Sequence, residues 1–300
     1  MWHTYLQEFF KTHDYPEAAV PPLLESLNSI LAHEKMGAAL LDAVSQYESW
    51  ESPEKEAVKA LLAQVRQASR EYGFQNETAE LLLFLMLCRH LEQLYQRKGL
   101  PAAWFLGVPR DLRSKLNECY TIRGIWGSFV ADWFVWFFSL DRFVMGRLQY
   151  ECIPIPAAYC PAGFEHMAGQ PAVNLHIPSG APLRQSDVQA SMAEAAKFYA
   201  HRFPDGNVLF ICHSWLLFPG HLEMLPDSSG IRQFMSQFTL AGTYEDPDRH
   251  DLWRIFHTDD VKNENTLPQD TSLQRAYVQW LKAGKTVGGG IGIRFMKCED

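Results

Sequence analysis

The chain has 300 residues, 47% of them hydrophobic, and a net charge of −8 at pH 7. That apolar content is ample for a buried core, and a chain of this length ordinarily divides into two domains. The acidic charge is spread without a basic stripe, which excludes the phosphate-neutralising contacts of nucleic-acid binders, so no nucleic-acid partner is expected.

Met1 is followed by Trp2, His3 and an amphipathic stretch rather than by a secretory signal, and a cytoplasmic location is expected. From there to about Arg123 apolar residues recur at three- and four-residue intervals, the pattern of a helical bundle. Ser52 and Pro53 are placed to open one helix that Gly73 can end, with Leu61, Leu62, Val65 and Ala68 as its buried stripe. The next helix, starting beyond Asn76 and stopping at Gly99, is almost entirely apolar through Cys88 and reads as the centre of the bundle. Gly124 to Leu140 carries seven aromatics around Asp132; it is too short to span a membrane and reads as a helix buried on every side. The six cysteines, Cys88, Cys119, Cys152, Cys160, Cys212 and Cys298, lack metal-ligand spacing and read as reduced core thiols.

After Leu140 short apolar runs alternate with helical ones. Residues 142–155 alternate as one antiparallel strand; then come strand "AVNLHI", helix "SDVQASMAEAAKFYAHRF", strand "NVLFICHSW", a helical stretch around "SSGIRQFMSQF", strand "LWRIFHT", helix "SLQRAYVQWLKAG" and strand "GIGIRFM". The expectation is an α+β chain: an all-α N-terminal domain over residues 1–121, then an α/β domain over 122–300 with a mixed, mostly antiparallel sheet.

Between His176 and Ser186 stand Pro178, Ser179, Gly180 and Pro182, which stop a strand and permit unusual backbone angles. Ser186 and Gln189 have the spacing of a capping box. A glycine turn feeding a helix N-terminus presents amides to an anion, with Arg184 as an added charge; the alternative is a plain strand-to-helix connection. The glycine run before "IGIR" fits no dinucleotide fingerprint and reads as structural.

"GRLQYE" (146–151), "LHIPSGAPL" (175–183), the spacing of Ser191 and Ala195, "FPD" (203–205) and "CHSWLL" (212–217) resemble a family of bacterial acyltransferases with an N-terminal helical domain and a C-terminal GNAT-like (Gcn5-related N-acetyltransferase) domain. The resemblance implies a sheet splayed between "AVNLHI" and "NVLFICHSW", the pantetheine arm of an acyl-CoA in the gap, and the pyrophosphate on Ile177, Ser179, Gly180, Ala181, Leu183, Arg184 and Ser186. The sequence departs from the family's Q/R-x-x-G-x-G/A signature, with Ile177 at its first position and Pro182 at its last.

Glu151, at a strand end, is a candidate base, or else the partner of Arg147 or Arg142 in an ion pair. His176 and His213, on the strands that would flank the thioester, are candidates to take a proton or polarise the carbonyl, or else histidines bonded within the sheet. Tyr150 and Trp215 are expected to line the acceptor site. No metal is expected, because His250, His257, Asp259 and Asp260 match no ligand spacing. The reading is an acyl-CoA-dependent acyltransferase acting on a small-molecule acceptor, an amine, with no membrane partner and oligomerisation left open. Its alternatives are a CoA-binding sensor without turnover and an interaction protein that meets a partner through its aromatic segment.

Overall fold

In the computed structural model, residues 1–160 and 163–297 are described, and the chain forms two compact units, Met1–Val144 and Met145–Asp300. The first holds six helices of eleven residues or more: α1 (Trp2–Thr12), α2 (Val20–Ala32), α3 (Glu34–Glu48), α4 (Lys55–Glu71), α5 (Asn76–Arg97) and α6 (Ala102–Arg123). The unbroken burial of Thr78 to Cys88 explains the apolar run of α5: the helix touches α1, α2, α3, α4 and α6 and has no solvent face there. Glu80, buried within that run, is held by a fork from Arg66, whose Nε and Nη2 lie 2.6 and 3.0 Å from its carboxylate oxygens. Helix α4 starts two residues later than its sequence signals suggest: Glu54 precedes it without a side-chain cap, so Ser52 caps nothing.

The segment expected as a buried helix is instead irregular from 124 to 130, followed by a 3-10 turn (Ala131–Phe134) and the single turn α7 (Val135–Phe138). Gly124, left-handed at φ 68°, ends α6. Gly127 then approaches α5 so closely that a Cβ would stand 2.6 Å from the Glu77 carbonyl carbon, while Thr78 Oγ1 donates to Trp126 O and Ser128 N donates to Glu77 O. These bonds to another helix replace the intrahelical ones. Phe134, Phe137 and Phe138 are buried, and Trp126, Phe129, Trp133 and Trp136 only half so.

From the boundary onward the described strands form one sheet ordered β1-β2-β3-β4-β6-β5: β1 (Arg142–Met145), which begins in the first unit, β2 (Leu148–Pro154), β3 (Pro171–His176), β4 (Asn207–Ser214), β5 (Thr239–Glu245) and β6 (Gly288–Lys297). The single strand expected over 142–155 is a hairpin turned at Gly146, φ 59°. β3 and β4 run parallel, connected by α8 (Gln185–Tyr199), whereas β2–β3, β4–β6 and β5–β6 pair antiparallel. Short helices α9 (His221–Met224), α10 (Gly230–Met235) and α11 (Trp253–Phe256) and the longer α12 (Ser272–Lys282) follow. The stretch read as strand "LWRIFHT" is α11: Leu252, Ile255 and Phe256 have helical spacing and share a core with Tyr277, Val278 and Leu281 of α12. Its last carbonyls receive Gln274, whose Nε2 donates to Ile255 O, and His257 in the left-handed region ends it. β5, an edge strand rich in Thr and Gly, had no apolar alternation to mark it.

The glycine run of β6 is structural, as expected. A Cβ on Gly290 would stand 2.5 Å from Leu217 O, and one on Gly289 2.4 Å from the Tyr244 ring carbon Cζ. Cys88, Cys119 and Cys212 are buried, Cys152 and Cys160 half-buried, and Cys298 lies outside the described residues. No helix among the described residues is long and apolar enough to cross a membrane.

Gly290→Ala is expected to lower stability by about 1–3 kcal/mol through overpacking, read from the urea midpoint. His221, fully buried with Nε2 2.6 Å from Tyr277 Oη, has its pKa lowered by burial from 6.5 to about 4. The unfolded chain then binds more protons between those values. Stability from this residue is complete above pH 6.5 and falls by roughly 3 kcal/mol as the pH approaches 4, so His221→Gln should flatten the acid limb of the stability profile.

Candidate active site

β2 and β3 pair antiparallel with Gln149 opposite His176, Tyr150 opposite Leu175 and Glu151 opposite Asn174. With a side-chain period of two, Gln149, Glu151, Asn174 and His176 share one face and Tyr150 takes the other. On the first face Asn174 Nδ2 donates to Glu151 Oε1 at 3.0 Å, and His176 Nε2 lies 3.1 Å from the same oxygen and 3.1 Å from Asn174 Nδ2. Glu151 is 3% exposed, so its carboxylate rests on these neighbours rather than on water. Two of the residues singled out from sequence thus meet, and Asn174, unnoticed in the sequence, joins them.

His213 arrives on the same face from β4, following Ile211, which pairs with Asn174. Its imidazole is stacked between Tyr159 and Tyr244, with centroids at 4.7 and 4.5 Å and rings within 6° of parallel. Burial lowers the His213 pKa, and burial together with the Glu151 charge raises that of Tyr159. With both faces covered, His213 can offer only its edge.

Tyr150 belongs to the opposite face. It is fully buried, its hydroxyl 2.8 Å from Ser191 Oγ of α8, and its carbonyl accepts from Tyr199 Oη. It fastens α8 to the sheet instead of lining the Glu151 face. Trp215 opens a 3-10 turn (Trp215–Leu217) after β4, and its ring meets His221 and Tyr277. A separate cavity of about 480 Å³, lined by Leu217, Leu222, Met235, Phe238 and Leu240, holds none of the residues singled out from sequence.

Among the described residues β3 and β4 stay paired only at Val173↔Phe210 and Asn174↔Ile211, and the strands part before His176 and His213. The turn from Ile177 to Arg184 follows directly: Ser179, Gly180 and Ala181 are exposed, Ile177 and Leu183 half-buried, and Gly180 has φ 87°. The capping box does not form. Arg184 occupies the N-cap without a side-chain bond, the helix begins at Gln185, and Ser186 Oγ donates to Asp187 instead. The amides of the first helical turn therefore receive no side-chain cap.

What shapes the turn is Arg147, considered in the sequence only as an ion partner for Glu151. Its guanidinium donates to three carbonyls: Pro178 O at 2.9 Å, Ala181 O at 2.6 Å and Pro182 O at 3.0 Å. Arg142 instead lies over the Trp133 ring, 3.9 Å from its centroid. Ser191 completes the arrangement, accepting from Leu148 N and donating to Met145 O across the hairpin. No three His, Cys, Asp or Glu side chains among the described residues converge as metal ligands.

Two family models cover nearly the whole chain: an N-acyltransferase N-terminal domain over residues 4–140 and a GNAT-like C-terminal domain over 143–294. The chain belongs to this family of two-domain acyltransferases. No curated protein matches it in sequence. Solved structures share its fold: an acyltransferase in complex with decanoyl-CoA and teicoplanin (TM-score 0.74, 20% identity, 96% of this chain and 87% of that one) and an acyltransferase mutant in complex with octanoyl-CoA (TM-score 0.71, 19% identity, 96% and 86%).

Arg147→Met is expected to speed amide hydrogen exchange from Ser179 to Arg184 by about tenfold or more while β2 and β3 keep their protection. Unaltered exchange in the turn would show that the guanidinium does not hold it.

Proposed function

We propose that this acyltransferase moves an acyl group from an acyl-CoA to the amine of a small molecule by direct attack on the thioester. The observation that carries the reading is the Glu151–Asn174–His176 group standing where β3 and β4 part. The solved relatives bound to decanoyl-CoA, octanoyl-CoA and teicoplanin support both the donor and a small-molecule acceptor. The residues present fit such a donor. The parted strands leave backbone amides without sheet partners for a pantetheine arm, and the uncapped amides at the head of α8, beside Ser179, Gly180 and Ala181, suit a pyrophosphate. Ile177, Leu183, Arg184 and Ser186 frame that seat.

Glu151 accepts the Nε2–H of His176, which leaves the Nδ1 lone pair to take the proton of the attacking amine. The new C–N bond forms as the C–S bond breaks, and CoA leaves as its thiol once protonated. Asn174 holds the Glu151 oxygen from the side, fixing the carboxylate against the imidazole. His213, clamped by its two tyrosines, presents an edge to the same face and polarises the thioester carbonyl.

Thiol release from octanoyl-CoA in the presence of primary amines tests the scheme. Glu151→Gln and His176→Asn are each expected to slow release by about 100-fold or more while CoA affinity by calorimetry stays unchanged. Unchanged turnover in both variants would leave catalysis to positioning alone; CoA binding with no release by the wild type would favour a sensor.

A further inference from the structure

Gln149 sits on the same face as Glu151, Asn174 and His176, directly across the strand pair from His176. It is 1% exposed, and neither Nε2 nor Oε1 of its side chain has a hydrogen-bond partner. Burying a carboxamide without partners is costly, and proteins retain such groups where something else completes them. The contrast with its neighbours is sharp, because Asn174 and His176 each bond to Glu151 while Gln149 is left out. Nor does it help to fasten α8, which lies against the opposite face through Tyr150 and Ser191. Its place is beside the imidazole that takes the proton, on the side of the sheet away from the helix whose N-terminus seats the pyrophosphate.

We propose that Gln149 is an acceptor-binding residue that recognises a hydrogen-bonding group next to the reacting amine. The inference rests on the reading above that this face receives the acceptor. A carboxamide offers a donor and an acceptor side by side, and its complement is a group that does the same. The substrate class is therefore an amine with an adjoining hydroxyl or amide, such as a vicinal amino alcohol or an α-amino amide, rather than a plain alkylamine. A site built to bond such a group discriminates strongly against an analogue lacking it, since its own buried polar atoms are then left unpaired.

The test compares 2-aminoethanol and glycinamide with propylamine as acceptors, octanoyl-CoA being the donor and thiol release the readout. In the wild type the first two are expected to exceed propylamine in kcat/KM by tenfold or more. Gln149→Met should abolish that advantage, chiefly through a raised KM for 2-aminoethanol and glycinamide, and leave the Tm equal or higher because an unpaired buried amide has been removed. Gln149→Asn, which keeps the amide but withdraws it by one methylene, should lose the same advantage and serves if the methionine variant does not fold. Equal amine selectivity in the wild type and the variants would overturn the inference and point to a bound water as the partner. Absence of thiol release by the wild type with all three amines would overturn the acyltransfer reading and this inference with it.

Discussion

The site depends on one strand register. Because Glu151 stands opposite Asn174 and Gln149 opposite His176, four polar side chains of two adjacent strands fall on one face, and Tyr150 and Leu175 fall on the other. A slip of β2 by one residue would turn Gln149 and Glu151 over, burying Glu151 under α8 and presenting Tyr150 in its place. The register is held from the far face: Ser191 takes Leu148 N and Tyr150 Oη, and Tyr199 donates to Tyr150 O. The chemistry of one side of the sheet thus rests on a hydroxyl-bonded seam on the other.

Arg147 extends that seam to the turn. It stands beside Gly146, whose left-handed backbone reverses the hairpin against Ser191, and from there its guanidinium gathers the carbonyls of Pro178, Ala181 and Pro182. Gly180 keeps its left-handed backbone, and the guanidinium holds the carbonyls around it in a turn where Ile177 and Pro182 occupy the positions in which the signature would place other residues.

Much of this was legible in the sequence and some could not be. The apolar run of α5 and the strand-turn-helix-strand order from β3 to β4 stand out because Gly and Pro punctuate them and periodicity separates strand from helix. Glu151, His176 and His213 were recognisable as candidates. Their shared face followed from strand register, which alternation alone does not set. Asn174 and Gln149 were invisible for that reason, and Arg147 because no local spacing ties a hairpin residue to carbonyls 31 to 35 positions onward. The 124–140 segment misled because aromatic density says only that a stretch is buried; Gly127 against Glu77 is a tertiary contact that breaks the helix. Residues 252–256 misled because so short an apolar run fits a strand or one helical turn, and packing on α12 decides between them.

The stack of Tyr159, His213 and Tyr244 joins segments on both sides of the place where the sheet splits: Tyr159 comes from the β2–β3 connection and Tyr244 from β5 beyond β6. The Tyr159–His213 pair bridges the slot between β3 and β4. Ring pairs of this kind are worth about 1 kcal/mol each, so thermal motion can unfasten one without disturbing the strands. Parting either pair would uncover one face of the His213 imidazole while the other stays covered.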